Sequence, residues 1–152
     1  CAVAGDVAQA ERIWLEMGQR TNHFTTYTPP STHCYAHLMT ANRKASNITR
    51  VLELLDEMQA RGLSPTAAHF STALQACEAF SHVPRALTLG LALYDKMVSR
   101  AVRLDNKGML ALTRLCEAQG EHQTARRIRQ ERSMHGTREK PTQSQPISVG
   151  EI

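Results

Sequence analysis

Apolar side chains recur three and four positions apart through most of this chain, the spacing of one face of an α-helix. Ile48, Val51, Leu52, Leu55 and Met58 set the pattern most clearly. Ahead of them, Tyr35, Leu38, Met39 and Asn42 predict a helix over about 32–43. A polar break at Ala45-Ser46-Asn47 separates the two. The second helix has its own stop signal. Gly62 suits the left-handed residue that follows a helix, and Pro65 cannot continue one. Residues 32–66 thus make a helix–turn–helix unit of 35 residues.

The plan repeats. Residues 67–105 place Phe70, Ala73, Leu74 and Cys77 on a first helix. Val83, Ala86, Leu87, Gly90, Leu91, Tyr94 and Met97 form the stripe of a second, with Pro84 acceptable in its first turn. This unit has 39 residues, four more than its predecessor. Four residues are close to one helical turn, so the apolar stripe is expected to stay in phase. Residues 106–136 form a third, degenerate unit, with Met109, Leu112, Thr113 and Cys116, then Ala125 and Ile128 after Gly120. Cys77-Glu78-Ala79 recurs as Cys116-Glu117-Ala118, again 39 positions on. Residues 1–31 read as the second helix of a truncated unit plus a loop. Asp6 is its cap, Val7, Ala10, Trp14 and Met17 its stripe, and 21–31 the loop, closed by Pro29-Pro30. The first helix of that unit is expected upstream of Cys1. Residues 137–152 are a polar tail with Pro141 and Pro146, expected to be disordered alone in water. A pair of amphipathic helices cannot cover its own apolar faces. The expected fold is therefore all-α, an α-solenoid of stacked helix–turn–helix repeats.

Composition agrees with this reading. Hydrophobic residues make up 41% of the chain but aromatics only 5%, which suits helices built on Leu, Ala and Met. The four cysteines, Cys1, Cys34, Cys77 and Cys116, are widely spaced and are expected to be reduced thiols. No apolar run approaches the roughly 20 residues of a membrane span. Charge is uneven. Residues 1–99 carry eight Lys/Arg and eight Asp/Glu, whereas residues 100–140 carry ten against five. That basic half is a candidate phosphate-facing surface.

Chemistry of other kinds finds little support. His33-Cys34-x-x-His37 puts two imidazoles one turn apart, but structural zinc wants four ligands and no second pair accompanies them. Cys77 and Cys116 lack an evident His–Asp partner and read as small buried hydrophobes. No metal, cofactor or small-molecule substrate is expected, and no enzyme activity.

The 35-residue pitch, the helix pair and the ending Met58…Gly62-Leu63-x-Pro65 resemble the pentatricopeptide repeat family. Tyr35 and Phe70 match the family's aromatic near the start of the first helix. Gly5 and Gly120 match its mid-turn glycine, and Ala10, Ala86 and Ala125 the small residue after it. Met17, Met58 and Met97 match its late methionine. Residues 67–105 depart from the pattern, with Ala101 and Leu104 where Gly and Pro are usual. The tetratricopeptide alternative needs a Leu-Gly in the first helix, which is missing.

The resemblance implies organellar RNA metabolism, in a mitochondrion or plastid, and a concave face of first helices that binds single-stranded RNA. One base is then read per unit by the fifth side chain and the last. Those pairs are Ala36 with Thr66, and Ser71 with Asp105; the third unit presents Leu110. Ser71 with Asp105 is of the type associated with guanine, while Ala36 and Leu110 are poor readers. His33, Ala68 and Lys107 would flank the bases, and only His33 offers a ring to stack. Arg43, Lys44, Lys107 and Arg114 are the implied phosphate contacts on first helices. Arg126, Arg127, Arg129 and Arg132 crowd the last helix, as a phosphate contact or as a solvated face. The family's catalytic partners are appended domains, and no H-x-E with C-x-x-C is present here. A second expectation of a different class stands beside RNA binding: a structural adaptor stacked on protein subunits of a large organellar assembly, such as a ribosome.

Overall fold

The computed structural model describes residues 7–19 and 30–136. The expected cap Asp6, the loop at 21–29 and the tail at 137–152 lie outside them. Among the described residues there are seven α-helices and no strand. They are α1 (Val7–Gln19), α2 (Thr32–Lys44), α3 (Ile48–Ala60), α4 (Ala67–Ala79), α5 (Pro84–Ser99), α6 (Asn106–Ala118) and α7 (His122–Gly136). The architecture is an all-α solenoid.

One device ends α2, α3, α5 and α6. After α3, the Leu63 N–H donates to the Met58 carbonyl and the Gly62 N–H to that of Gln59, with Gly62 left-handed at φ 76°. That is the Schellman arrangement, which satisfies the last carbonyls of the helix. After α2, Ser46 takes the same place at φ 59°, and the Asn47 N–H reaches the Asn42 carbonyl. After α5, Ala101 takes it at φ 54°, and after α6, Gly120 at φ 80°. Two of these four sites thus carry a Cβ in a conformation that penalises one.

The helices pack in two layers. The first helices stack directly, α2 on α4 and α4 on α6. Each second helix packs on its own first helix and on the first helix of the next unit: α3 on α2 and α4, α5 on α4 and α6. The second helices do not pack on one another. Long polar side chains bridge them instead. Arg50 of α3 meets Glu11 of α1 at 3.0 Å, Lys96 of α5 meets Asp56 of α3 at 2.7 Å, and the Tyr94 hydroxyl of α5 donates to Glu131 of α7 at 2.8 Å. Closely packed first helices and spread second helices curve the stack, with α2, α4 and α6 on the inner side.

The core follows the apolar stripes. Tyr35, Met39, Val51, Leu55, Met58, Phe70, Leu74, Leu112 and Cys116 are all buried. Burying each large side chain contributes about 2 kcal/mol. Trp14 stands edge-on to Tyr35, centroids 4.6 Å apart, and joins α1 to α2. The stripes also missed positions. Leu54, Leu93 and Leu115 are buried, because α3 and α5 are each covered by two first helices and α6 packs against α4, α5 and α7. Val83 is exposed, since it caps α5 rather than entering it. The four additional residues of 67–105 do not form one extra turn. Helix α5 has 16 residues where α3 has 13, and the fourth sits in the break before it. The stripe stays in phase through Met97, which is buried, while Val98 beside it faces solvent.

Replacing Ala101 by Gly removes the Cβ strain at φ 54° and is expected to stabilise the fold by about 1 kcal/mol. Gly62→Ala is expected to cost a similar amount. Urea unfolding midpoints measure both; a lowered midpoint for Ala101→Gly would contradict the strain.

Candidate nucleic-acid interface

The inner face of α2, α4 and α6 carries the residues expected to meet RNA. One cleft on it, of about 360 Å³, lies between the C-terminal parts of α2 and α4 and the first turns of α6, and is lined by Arg43, Gln75, Glu78, Ala79, Lys107, Leu110, Ala111 and Arg114. Arg43 comes from α2, Lys107 and Arg114 from α6, and the single acid, Glu78, from α4 between them. Arg114 pairs with Glu78 at 3.2 Å, both partly in solvent. Arg43 and Lys107 make no ion pair with any described residue, so their charge is open to a ligand. Lys44 is exposed one residue beyond Arg43 and does not line the cleft.

At the N-terminal ends of α2 and α4, Thr32, His33, Ala36, Thr66, Ala68 and His69 line a second cleft of about 150 Å³. His33 is exposed, and Ala36 and Thr66 share this cleft as the first expected pair. His69 was not anticipated. It is 3% exposed, and its ring ties three points together. Its Nδ1 accepts from the Thr66 N–H at 3.2 Å and lies 2.8 Å from the Thr66 hydroxyl, while its Nε2 stands 3.0 Å from the Thr32 carbonyl. It completes the cap of α4 and pins that cap to the start of α2. Position three of a capping box was the available signal, but Glu or Gln is the usual residue there.

Between the clefts the expected guanine pair is closed. Ser71 is 2% exposed, and its hydroxyl donates to Asp105 Oδ1 at 2.6 Å. The same oxygen accepts the Gly108 N–H at 2.9 Å, which caps α6. A Cβ built on Gly108 would lie 2.5 Å from the Ser71 hydroxyl, so the glycine allows α6 to close over it. Ser71 is thus covered and joins α4 to the start of α6, while Asp105, its partner, remains exposed. The structure therefore brings His33, Ala36, Thr66 and Ala68 to one cleft and Arg43, Lys107, Leu110 and Arg114 to the other, and it leaves Ser71 covered.

The basic residues of α7 point elsewhere. Arg126, Arg127 and Arg129 are exposed on the outer layer; Arg127 lies 3.9 Å from Glu131, and Arg129 pairs with Glu117. The two buried thiols are also not poised for chemistry. Burial pushes the Cys77 thiol up from 9.0 to about 11, and burial with Glu121 and Glu117 nearby raises that of Cys116. Among the described residues no helix is long and apolar enough to cross a membrane.

The class these features define is an α-solenoid of helix–turn–helix repeats. Residues 29–78 match the family model described as pentatricopeptide repeat domain. Two crystal structures of the pentatricopeptide repeat protein PPR10, each in complex with an 18-nt psaJ RNA element, one of them a cysteine-to-serine variant, share the fold. Each superposes with a TM-score of 0.61 at 19% identity over 87% of this chain. This chain spans 18% of their length. No curated protein sequence matches it.

Two outcomes follow from the geometry. Ser71→Ala removes a buried hydrogen bond and is expected to cost about 1–2 kcal/mol of stability, read from urea unfolding; a change near zero would mean the bond does not hold α4 to α6. Burial keeps both raised thiols protonated, so brief alkylation near neutral pH is expected to spare Cys77 and Cys116 and to label the half-buried Cys34 before either of them. Because the fold retains the Cys77 proton, stability is also expected to fall as pH rises above about 9, the unfolded thiol's value, toward about 11.

Proposed function

We propose that this chain is an RNA-binding module that holds single-stranded RNA along the inner face of α2, α4 and α6. The observation that carries the reading is the convergence of Arg43, Lys107 and Arg114 from two helices on one cleft that holds a single acid. A phosphate entering there meets two cations with no ion pair among the described residues and a third that is shared with Glu78. Leu110, Ala79 and Ala111 supply an apolar wall beside them, against which the face of a base can lie. The match of residues 29–78 to the pentatricopeptide repeat model and the RNA held by PPR10 support the same reading. An organellar setting is part of the proposal and rests on the family resemblance alone.

The module works as a surface, not as a catalyst. Phosphates provide the affinity, so binding is expected to weaken steeply as salt rises. Each cation that neutralises a phosphate on a single strand contributes about 0.7 to the slope of log K against log salt. Lys107→Ala and Arg114→Ala are each expected to lower that slope by about this amount, whereas Arg126→Ala on the outer layer leaves it unchanged. Fluorescence anisotropy with fluorescein-labelled oligouridine across a salt series makes the measurement. Absence of binding at low salt would overturn the proposal and leave the adaptor reading, with protein subunits as partners.

A further inference from the structure

We infer that the RNA is held without selection of its bases, by its phosphates and by the unspecific face of the base. This deepens the RNA-binding reading and rests on it. Reading a base needs side-chain donors and acceptors free to meet its edge; among the expected reading residues the donors are missing or engaged, and the exposed Asp105 keeps only its acceptor Oδ2 unbonded among the described residues. Ala36 has no polar side-chain atom, and Leu110 is an apolar wall of its cleft. The one polar pair, Ser71 with Asp105, is closed on itself at 2.6 Å. Asp105 Oδ1 holds a second bond as well, to the Gly108 N–H at 2.9 Å.

Opening the pair for a base would have several costs at once. Ser71 would lose its acceptor in a site that is 2% exposed. The cap of α6 would lose the oxygen that holds it. The base edge would still have to pass α6, whose backbone at Gly108 closes on the Ser71 hydroxyl without room for a Cβ. A guanine edge must offset all of this before it gains affinity, and it replaces hydrogen bonds with hydrogen bonds of the same kind. Arg43 and Lys107, by contrast, have no ion pair among the described residues to break when a phosphate arrives. The inner face is therefore built to hold a backbone.

The test compares oligouridine with oligouridine carrying one A, C or G at each successive position, in fluorescence anisotropy at one fixed low salt concentration. The expected result is equal affinity for all of them, within about threefold, well under the roughly tenfold change that one lost base-specific contact produces. A preference of about tenfold or more for G at one position, abolished in a folded Ser71→Ala variant, would overturn the inference and leave the RNA-binding reading intact. A preference of that size for any other base would overturn it in the same way. Binding to none of the oligonucleotides overturns both readings.

Discussion

Helix α4 packs against α2, α3, α5 and α6, and the solenoid depends on that burial. An isolated helix pair leaves one apolar flank of each helix in water, so no unit here is stable by itself. Phe70, Leu74 and Cys77 are sealed only because α2 and α6 lie on either side. The polar exceptions in the layer are the contacts that place it. His69 binds the start of α2 to the start of α4, and Ser71 with Asp105 binds α4 to the start of α6. Such contacts act at the N-terminal ends of the first helices. The larger cleft runs from Arg43 and Glu78, near the C-terminal ends of α2 and α4, to Lys107 and Arg114 on α6.

The two faces of the solenoid treat charge differently. On the outer layer, cations are largely paired. Arg50 meets Glu11, Glu53 and Glu57, and the bond with Glu11 is the chief reason its guanidinium holds its proton more tightly than usual. Lys96 has Asp56, and Arg129 has Glu117. On the inner face Arg43 and Lys107 keep their charge open. The +5 excess of residues 100–140 made that part of the chain a candidate phosphate-facing surface. Lys107 and Arg114 from it line the inner cleft with Arg43 of α2, while Arg126, Arg127 and Arg129 of α7 are exposed on the outer layer.

Much of the fold was legible because helix periodicity is a local property. Ile48 to Met58 spell an amphipathic helix whatever surrounds them, and Gly62 with Pro65 spell its end. Leu54, Leu93 and Leu115 were not legible as core, since they are buried by helices from the neighbouring unit. Ala101 adopts a left-handed turn with no glycine to announce it, held there by the same hydrogen bonds that Gly62 makes. The site divides in the same way. Arg43, Lys107 and Arg114 were identifiable as cations on first helices. That Ser71 would be shut against Asp105 depended on Gly108 letting two helices approach, a distance that no residue spacing encodes.

The outer layer has a mechanical consequence. Its helices share no close backbone contact, only bridges such as Arg50–Glu11, Lys96–Asp56 and Tyr94–Glu131 that reach across a gap. The inner layer is packed solid from α2 to α6. A rod built in this way bends more easily than it stretches: the dense side acts as the spine of a spring and the bridged side as its lacing. Flexing alters the span of the lacing while the stacked apolar side chains stay in register. Bending about the inner layer is thus expected to load the outer bridges before it disturbs the stacked apolar side chains.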